Sequence, residues 1–128
     1  MKLWTFFEFL TSGGRGVITD WYEDLADEAQ QDFDDILRYL AVTPWHLWER
    51  PKYAPVSGYP GLGKLRFKAN KIQYRPIGFF GPEQGEFTLL IGAEERGGRW
   101  VPADAPKQAL KRKAIAESDR SRIRIYDY

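Results

Sequence analysis

The sequence predicts an α+β domain, and three features carry that expectation: helical periodicity over residues 17–40, period-two alternation within residues 64–93, and a second helical stretch over residues 105–117. At 128 residues the chain has room for one core of ordinary size. A hydrophobic fraction of 43%, with five Trp, seven Tyr and eight Phe, supplies the material to fill it. One domain over residues 1–118 is expected, with residues 119–128 as a C-terminal tail or short edge strand.

Lys2 to Leu10 is aromatic and apolar without a turn former and reads as a first strand, ended by Ser12, Gly13, Gly14 and Gly16. Ile18, Trp21, Tyr22 and Leu25, then Ala29, Phe33, Ile36, Leu37 and Leu40, recur at steps of three and four, which gives two helices with Asp27 as the cap between them. Pro44, Pro51, Pro55 and Pro60 make residues 43–63 a loop-rich joint that pins Trp45, Leu47 and Trp48 against something apolar. Lys64 to Lys68 alternates, Leu65 and Phe67 facing one way and Lys64, Arg66 and Lys68 the other, as in a half-buried antiparallel strand. Ala69 and Asn70 form a turn, Lys71 to Phe80 the next strand, and Glu86 to Ala93 a third, completing a meander. After Gly97 and Gly98 a helix runs from Ala105 to Glu117, with Ala109, Leu110, Ala114 and Ile115 as its apolar stripe and Lys107, Lys111, Arg112 and Lys113 mostly exposed.

Charge is divided unevenly. Residues 1–50 hold four Lys and Arg against ten Asp and Glu, whereas residues 51–128 hold fifteen against eight. The strand-rich half is therefore basic, and a polyanion is its natural partner. The competing reading is that the acidic helices simply neutralise it within the fold. The absence of cysteine, with a single histidine, leaves no room for disulfide scaffolds, thiol catalysis or zinc fingers. His46, among Trp45, Leu47 and Trp48, reads as a packed or surface histidine. Gly58, Gly63 and Lys64 fit a phosphate-loop spacing, but Leu65 stands where that loop needs Ser or Thr and a strand follows where it needs a helix. The acids between Asp20 and Asp35 are too dispersed for a metal site and read as a solvated face. Glu8 interrupts the apolar N-terminal stretch and no run is long enough for a membrane span, so a cytoplasmic protein with no membrane partner is expected.

Lys64, Arg66 and Lys68 share one strand face, and Arg75 lies on the neighbouring strand beside Tyr74. Alternate residues of a strand stand about 7 Å apart, close to the spacing of phosphates along an extended single strand. Such a surface suits RNA and suits the extra negative charge of a phosphoryl transition state.

The order of elements, together with GLGKLRF, KIQYRPIGFF and EFTLLIGAEERGGRWVPADAPKQALKRKA, resembles the RelE/HigB-like toxins of bacterial type II toxin-antitoxin pairs, in particular their phage-derived branch, over residues 17–117. The resemblance implies a small twisted antiparallel sheet with helices packed on one face, and metal-independent endoribonucleolytic cleavage of translated mRNA on the ribosome. It also implies neutralisation by a cognate antitoxin, a small helix-turn-helix protein, and no cofactor. It places the catalytic cations at Arg66 and Arg75, assisted by Lys64. Glu94 and Glu95 stand where the family commonly has two basic residues, and one of them is the candidate base. Lys68, Arg96 and Arg99 are the further RNA-binding candidates, and Tyr126 and Tyr128 are available where some relatives use a C-terminal tyrosine. Two other readings stand beside this one: a noncatalytic phage or mobile-element module that binds nucleic acid or an acidic partner through the basic sheet, and a blocker of another target such as a topoisomerase. In all of them the acids Asp24 and Asp32 are expected on the far side of the protein from the strand cations.

Overall fold

The computed structural model describes residues 1–128 and has the α+β class expected, with three helices on a sheet. In chain order the elements are β1 (Thr5–Phe9), α1 (Val17–Glu23), α2 (Asp27–Ala41), a 3-10 turn (Trp45–Leu47), β2 (Tyr53–Pro55), β3 (Gly63–Leu65), β4 (Phe67–Ala69) and β5 (Ile72–Tyr74). They continue as β6 (Ile77–Phe80), β7 (Glu86–Ile91), β8 (Glu94–Arg96), β9 (Arg99–Val101), α3 (Ala105–Ser118), a second 3-10 turn (Arg120–Arg122) and β10 (Ile123–Ile125).

Six strands form the main sheet in the order β10-β1-β7-β6-β3-β2, and β4-β5-β8-β9 form a second, smaller one. The main sheet is mixed. β1 runs parallel to β7, with Phe6 opposite Phe87, while its other neighbours pair antiparallel. The C-terminal segment supplies β10, which closes the edge beside β1.

The side chains of β1 alternate as strand geometry demands. Phe7 and Phe9 join Phe79, Leu90 and the alanines of α3, whereas Phe6 joins Phe87, Leu89 and the apolar stripe of α2. The helices thus cover both faces of the main sheet, which corrects the one-face arrangement implied by the resemblance. On one side Ala29, Phe33, Ile36, Leu37 and Leu40 are buried at the expected helical spacing. The N-cap of α2 is Ala26, without a side-chain bond, and Asp27 is the first helical residue. On the other side α3 buries Ala105, Ala109 and Ala116, while Leu110 and Ala114 are exposed. Small alanines let α3 lie close to the sheet, so the stems of Arg112 and Lys113 run along the sheet with them. Arg112 Nη1 donates to the Leu90 carbonyl at 2.8 Å, and Lys113 Nζ lies 5.3 Å from the Phe79 ring centre.

Two of the three strands expected in the basic half are broken, and they are broken side by side, while the third forms as β7. Residues 63–69 leave the main sheet at Arg66, whose N–H donates to the Lys52 carbonyl at 2.8 Å, and enter the smaller sheet as β4. Residues 72–80 make the same transfer at Arg75 and Pro76, and a proline has no N–H to continue the ladder. Strands that switch sheets through a bend make a corner between them. The tip of the β4–β5 hairpin is Asn70–Lys71, both at positive φ, one residue later than expected. Beyond Ala93 the chain makes a hairpin, β8–β9, turned by Gly97 and Gly98 at φ +55 and +77, and β8 pairs with β5.

Candidate nucleic-acid interface

The corner places Arg66 and Arg75, the two bend residues, next to each other. Arg75 is 5% exposed. Its Nη1 donates to the Tyr74 carbonyl at 2.8 Å and its Nη2 to Gln73 Oε1 at 2.6 Å, which fixes the guanidinium plane. Its buried Nε has no hydrogen-bond acceptor; Glu95 Oε1 is the nearest counter-charge, at 3.7 Å. Arg66 is held in a similar way: Nη1 donates to the Pro51 carbonyl at 3.0 Å, and Nε is buried without an acceptor. Both border one open hollow of about 260 Å³, together with Pro51, Lys68 and Gln73.

Lys64 approaches from β3, with its ammonium 5.4 Å from the centre of the Trp100 ring. Burial pushes the Lys64 pKa below the ordinary lysine value, and the positive charges of Arg75, Arg66 and Arg50 push it the same way, against the pull of Glu95. Burial also lowers the Arg75 pKa, with Arg66 and Arg50 adding to it and Glu95 opposing. Four cations, Arg50, Lys64, Arg66 and Arg75, therefore share one field with Glu95 as the carboxylate among them. Such a group costs free energy to assemble and is relieved by an anion seated in the open hollow that Arg66 and Arg75 border.

The structure separates the expected site residues into two sets. Lys64, Arg66, Arg75, Glu95 and Lys68 come together. Glu94 does not, because adjacent residues of β8 point to opposite faces. It lies opposite Tyr74, raises the pKa of that phenol after burial has done so, and pairs with Arg96 at 3.2 Å. Arg96 and Arg99 are exposed cross-strand partners on the Glu94 side of the hairpin, away from Glu95 and Trp100. Tyr126 is buried against Phe33, its N–H bonded to Phe6 of β1, three strand positions from β3. It therefore stands apart from the cations, and burial raises its pKa further. The acids of α2 are nearer than expected: Asp32 and Asp35 border a second hollow of about 270 Å³ whose other wall includes Arg66. Asp32 is thus not on the far side of the protein.

Three participants escape sequence reading. Gln73 shares a face with Arg75 by simple alternation and was within reach of that logic. Trp100 depends on the register of an unforeseen hairpin, with Glu95 opposite it. Arg50 lies in the Pro-rich joint, where no periodicity assigns a direction. No group of three or more His, Asp or Glu side chains is placed to hold a metal ion, and no helix is long and apolar enough to cross a membrane. Comparison with protein-family models, curated proteins and solved structures returns no match to this chain.

Proposed function

We propose that this protein is an RNA-cleaving toxin of the type II toxin-antitoxin kind, acting in the cytoplasm on translated mRNA and silenced by a small helix-turn-helix antitoxin. The observation that carries this reading is the rigidly held Arg75 guanidinium beside Arg66 on one open hollow, with Lys64 and Arg50 in the same field. In this reading Arg66 and Arg75 clamp the scissile phosphate and stabilise the charge that develops on it. Glu95 accepts the 2′-hydroxyl proton as the 2′-oxygen bonds to phosphorus, and the bond from phosphorus to the 5′-oxygen breaks. Lys64 gives that oxygen a proton, leaving a 2′,3′-cyclic phosphate and a 5′-hydroxyl end. Glu94, turned to the other face, takes no part.

The glutamates where the resembled family has basic residues favour a second reading, in which the same cations bind RNA or an acidic partner without cleaving. Induction in bacteria without the antitoxin, followed by growth curves and primer extension, decides between them. Growth arrest with new transcript ends, abolished by Arg75→Ala, is the expected result, and cleavage by purified protein on free RNA should persist in EDTA. Normal growth with intact transcripts leaves the binding reading alone.

A further inference from the structure

Of the five tryptophans, Trp4, Trp21 and Trp48 pack against other rings and Trp100 receives Lys64, but Trp45 has neither a ring nor a cation as partner and is 65% exposed. It stands on a rigid base. The 3-10 turn that carries it is pinned by buried Trp48, whose indole N–H donates to the Thr43 carbonyl at 2.9 Å. The Trp45 ring forms one wall of the largest hollow in the molecule, about 680 Å³, with Tyr53 and Phe80 as further aromatic surfaces and His46, Lys113 and Glu117 as polar ones. Lys113 and Glu117 pair with each other at 3.2 Å, and a purely apolar ligand would shield that pair from water and leave its remaining donors and acceptors unused. A flat aromatic ligand with donors and acceptors on its edge satisfies both kinds of surface.

The hollow lies at the other end of β3 from the bend at Arg66 and shares no lining residue with the hollow that Arg66 and Arg75 border. Gly61 and Leu62 form part of its wall and lead directly into β3, which carries Lys64. Leu62 belongs to the core under α3, and Lys64 reaches Trp100, which packs against that same core. Leu62 and Lys64 thus share one face, about 7 Å apart along the chain, and the bend at Arg66 lies about 7 Å further on, roughly two steps between phosphates on an extended strand. Positive charge beside an aromatic hollow is the arrangement by which single-stranded nucleic acid is held, backbone in one and base in the other.

We infer that the hollow at Trp45 is a base-stacking subsite for a nucleotide about two phosphate steps along the strand from the phosphate bound by Arg66 and Arg75. The inference rests on the RNA reading given above and adds a second contact point to it. The test uses a short fluorescein-labelled oligoadenylate and an abasic strand of equal length, titrated with wild type, Trp45→Ala, Trp45→Phe and Arg66→Ala proteins at several salt concentrations. Trp45→Ala is expected to weaken oligoadenylate binding roughly tenfold or more, with Trp45→Phe restoring most of it. The abasic strand should bind wild type and Trp45→Ala equally. Salt dependence should be unchanged by Trp45→Ala and reduced by Arg66→Ala. Undiminished oligoadenylate binding by Trp45→Ala, or an equal loss on the abasic strand, overturns the subsite while leaving the phosphate clamp standing. No binding of either strand by wild type overturns both.

Discussion

Two buried charges in this protein are housed in opposite ways. Glu8 on β1 is 1% exposed and its carboxylate is satisfied throughout: Oε1 accepts from the N–H groups of Ile18 and Thr19 at 2.9 and 2.8 Å, and Oε2 from Thr19 Oγ1 at 2.7 Å and Arg124 Nε at 3.0 Å. It does from a distance what an N-cap side chain does locally, closing the first turn of α1, whose own N-cap is Gly16. Gly16 is required there, since a Cβ would run into the Glu8 carboxylate and Arg124. Arg75, 5% exposed, keeps an unused donor and has three cations in its field. A buried charge with every bond made stabilises a fold, whereas one left short among like charges carries a cost that the rest of the fold must offset. The first joins β1, α1 and β10; the second sits where two strands change sheets.

The sharpest way to break the comparison is to remove both charges and compare the losses. Glu8→Ala leaves two helix N–H groups, a hydroxyl and Arg124 without their acceptor, and is expected to cost about 3 kcal/mol or more in urea unfolding. Arg75→Met keeps most of the stem's volume and relieves the like-charge crowding, which offsets part of the loss of its bonds to the Tyr74 carbonyl and Gln73, so unfolding free energy should fall by only about 1–2 kcal/mol. RNA cleavage should nevertheless fall at least about a hundredfold. If Arg75→Met destabilises as much as Glu8→Ala, the corner arginine is a structural charge and the proposed clamp loses its basis.

The pH dependence of cleavage sharpens the functional side. In the proposed reaction Lys64 acts as the acid and is competent only while protonated. Burial, followed by the neighbouring arginines, lowers its pKa, so the alkaline loss of activity should have its midpoint below the ordinary lysine value of about 10.4. Lys64→Arg should slow the reaction roughly tenfold at neutral pH, because a guanidinium is a weaker acid, and should move the alkaline limb upward. An unshifted limb in the variant assigns the titration to another group.

What was legible in the sequence was what depends on local periodicity. The α2 stripe from Ala29 to Leu40 is buried as its spacing predicts, whereas Lys64, Arg66 and Lys68, expected on one unbroken strand, fall on β3, the bend and β4. What depends on distant pairing was not legible. Nothing near Thr5–Phe9 announces a parallel partner some eighty residues later, and nothing in a run from Lys71 to Phe80 beyond Pro76 signals a change of sheet. The α3 stripe was misplaced because Leu110 looks like a core residue and Ala116 does not; close approach of the helix to the sheet reverses that preference. The cations were found and their crowding was not, since Arg50 and Glu95 reach the corner only through loop path and hairpin register.

The smallest expected effect asks which bonds hold Glu8. Arg124 is its ionic partner, yet the arginine side chain is 49% exposed against 1% for the carboxylate, so solvent weakens the charge pairing from one side. If the helix N–H groups dominate, Arg124→Met leaves Glu8 with Ile18 N–H, Thr19 N–H and Thr19 Oγ1, and stability should drop by only about 1 kcal/mol. The loss should be local. Arg124 lies opposite Glu8 in the β1–β10 ladder, so amide exchange should quicken at Tyr126, whose N–H donates to the Phe6 carbonyl across that ladder, while Thr5, whose N–H donates to Gly85 on the β7 side of β1, keeps its protection. A loss equal to that of Glu8→Ala would mean that the ion pair rather than the helix terminus secures the carboxylate, and the contrast with Arg75 would then be one of partner strength rather than of bonds completed.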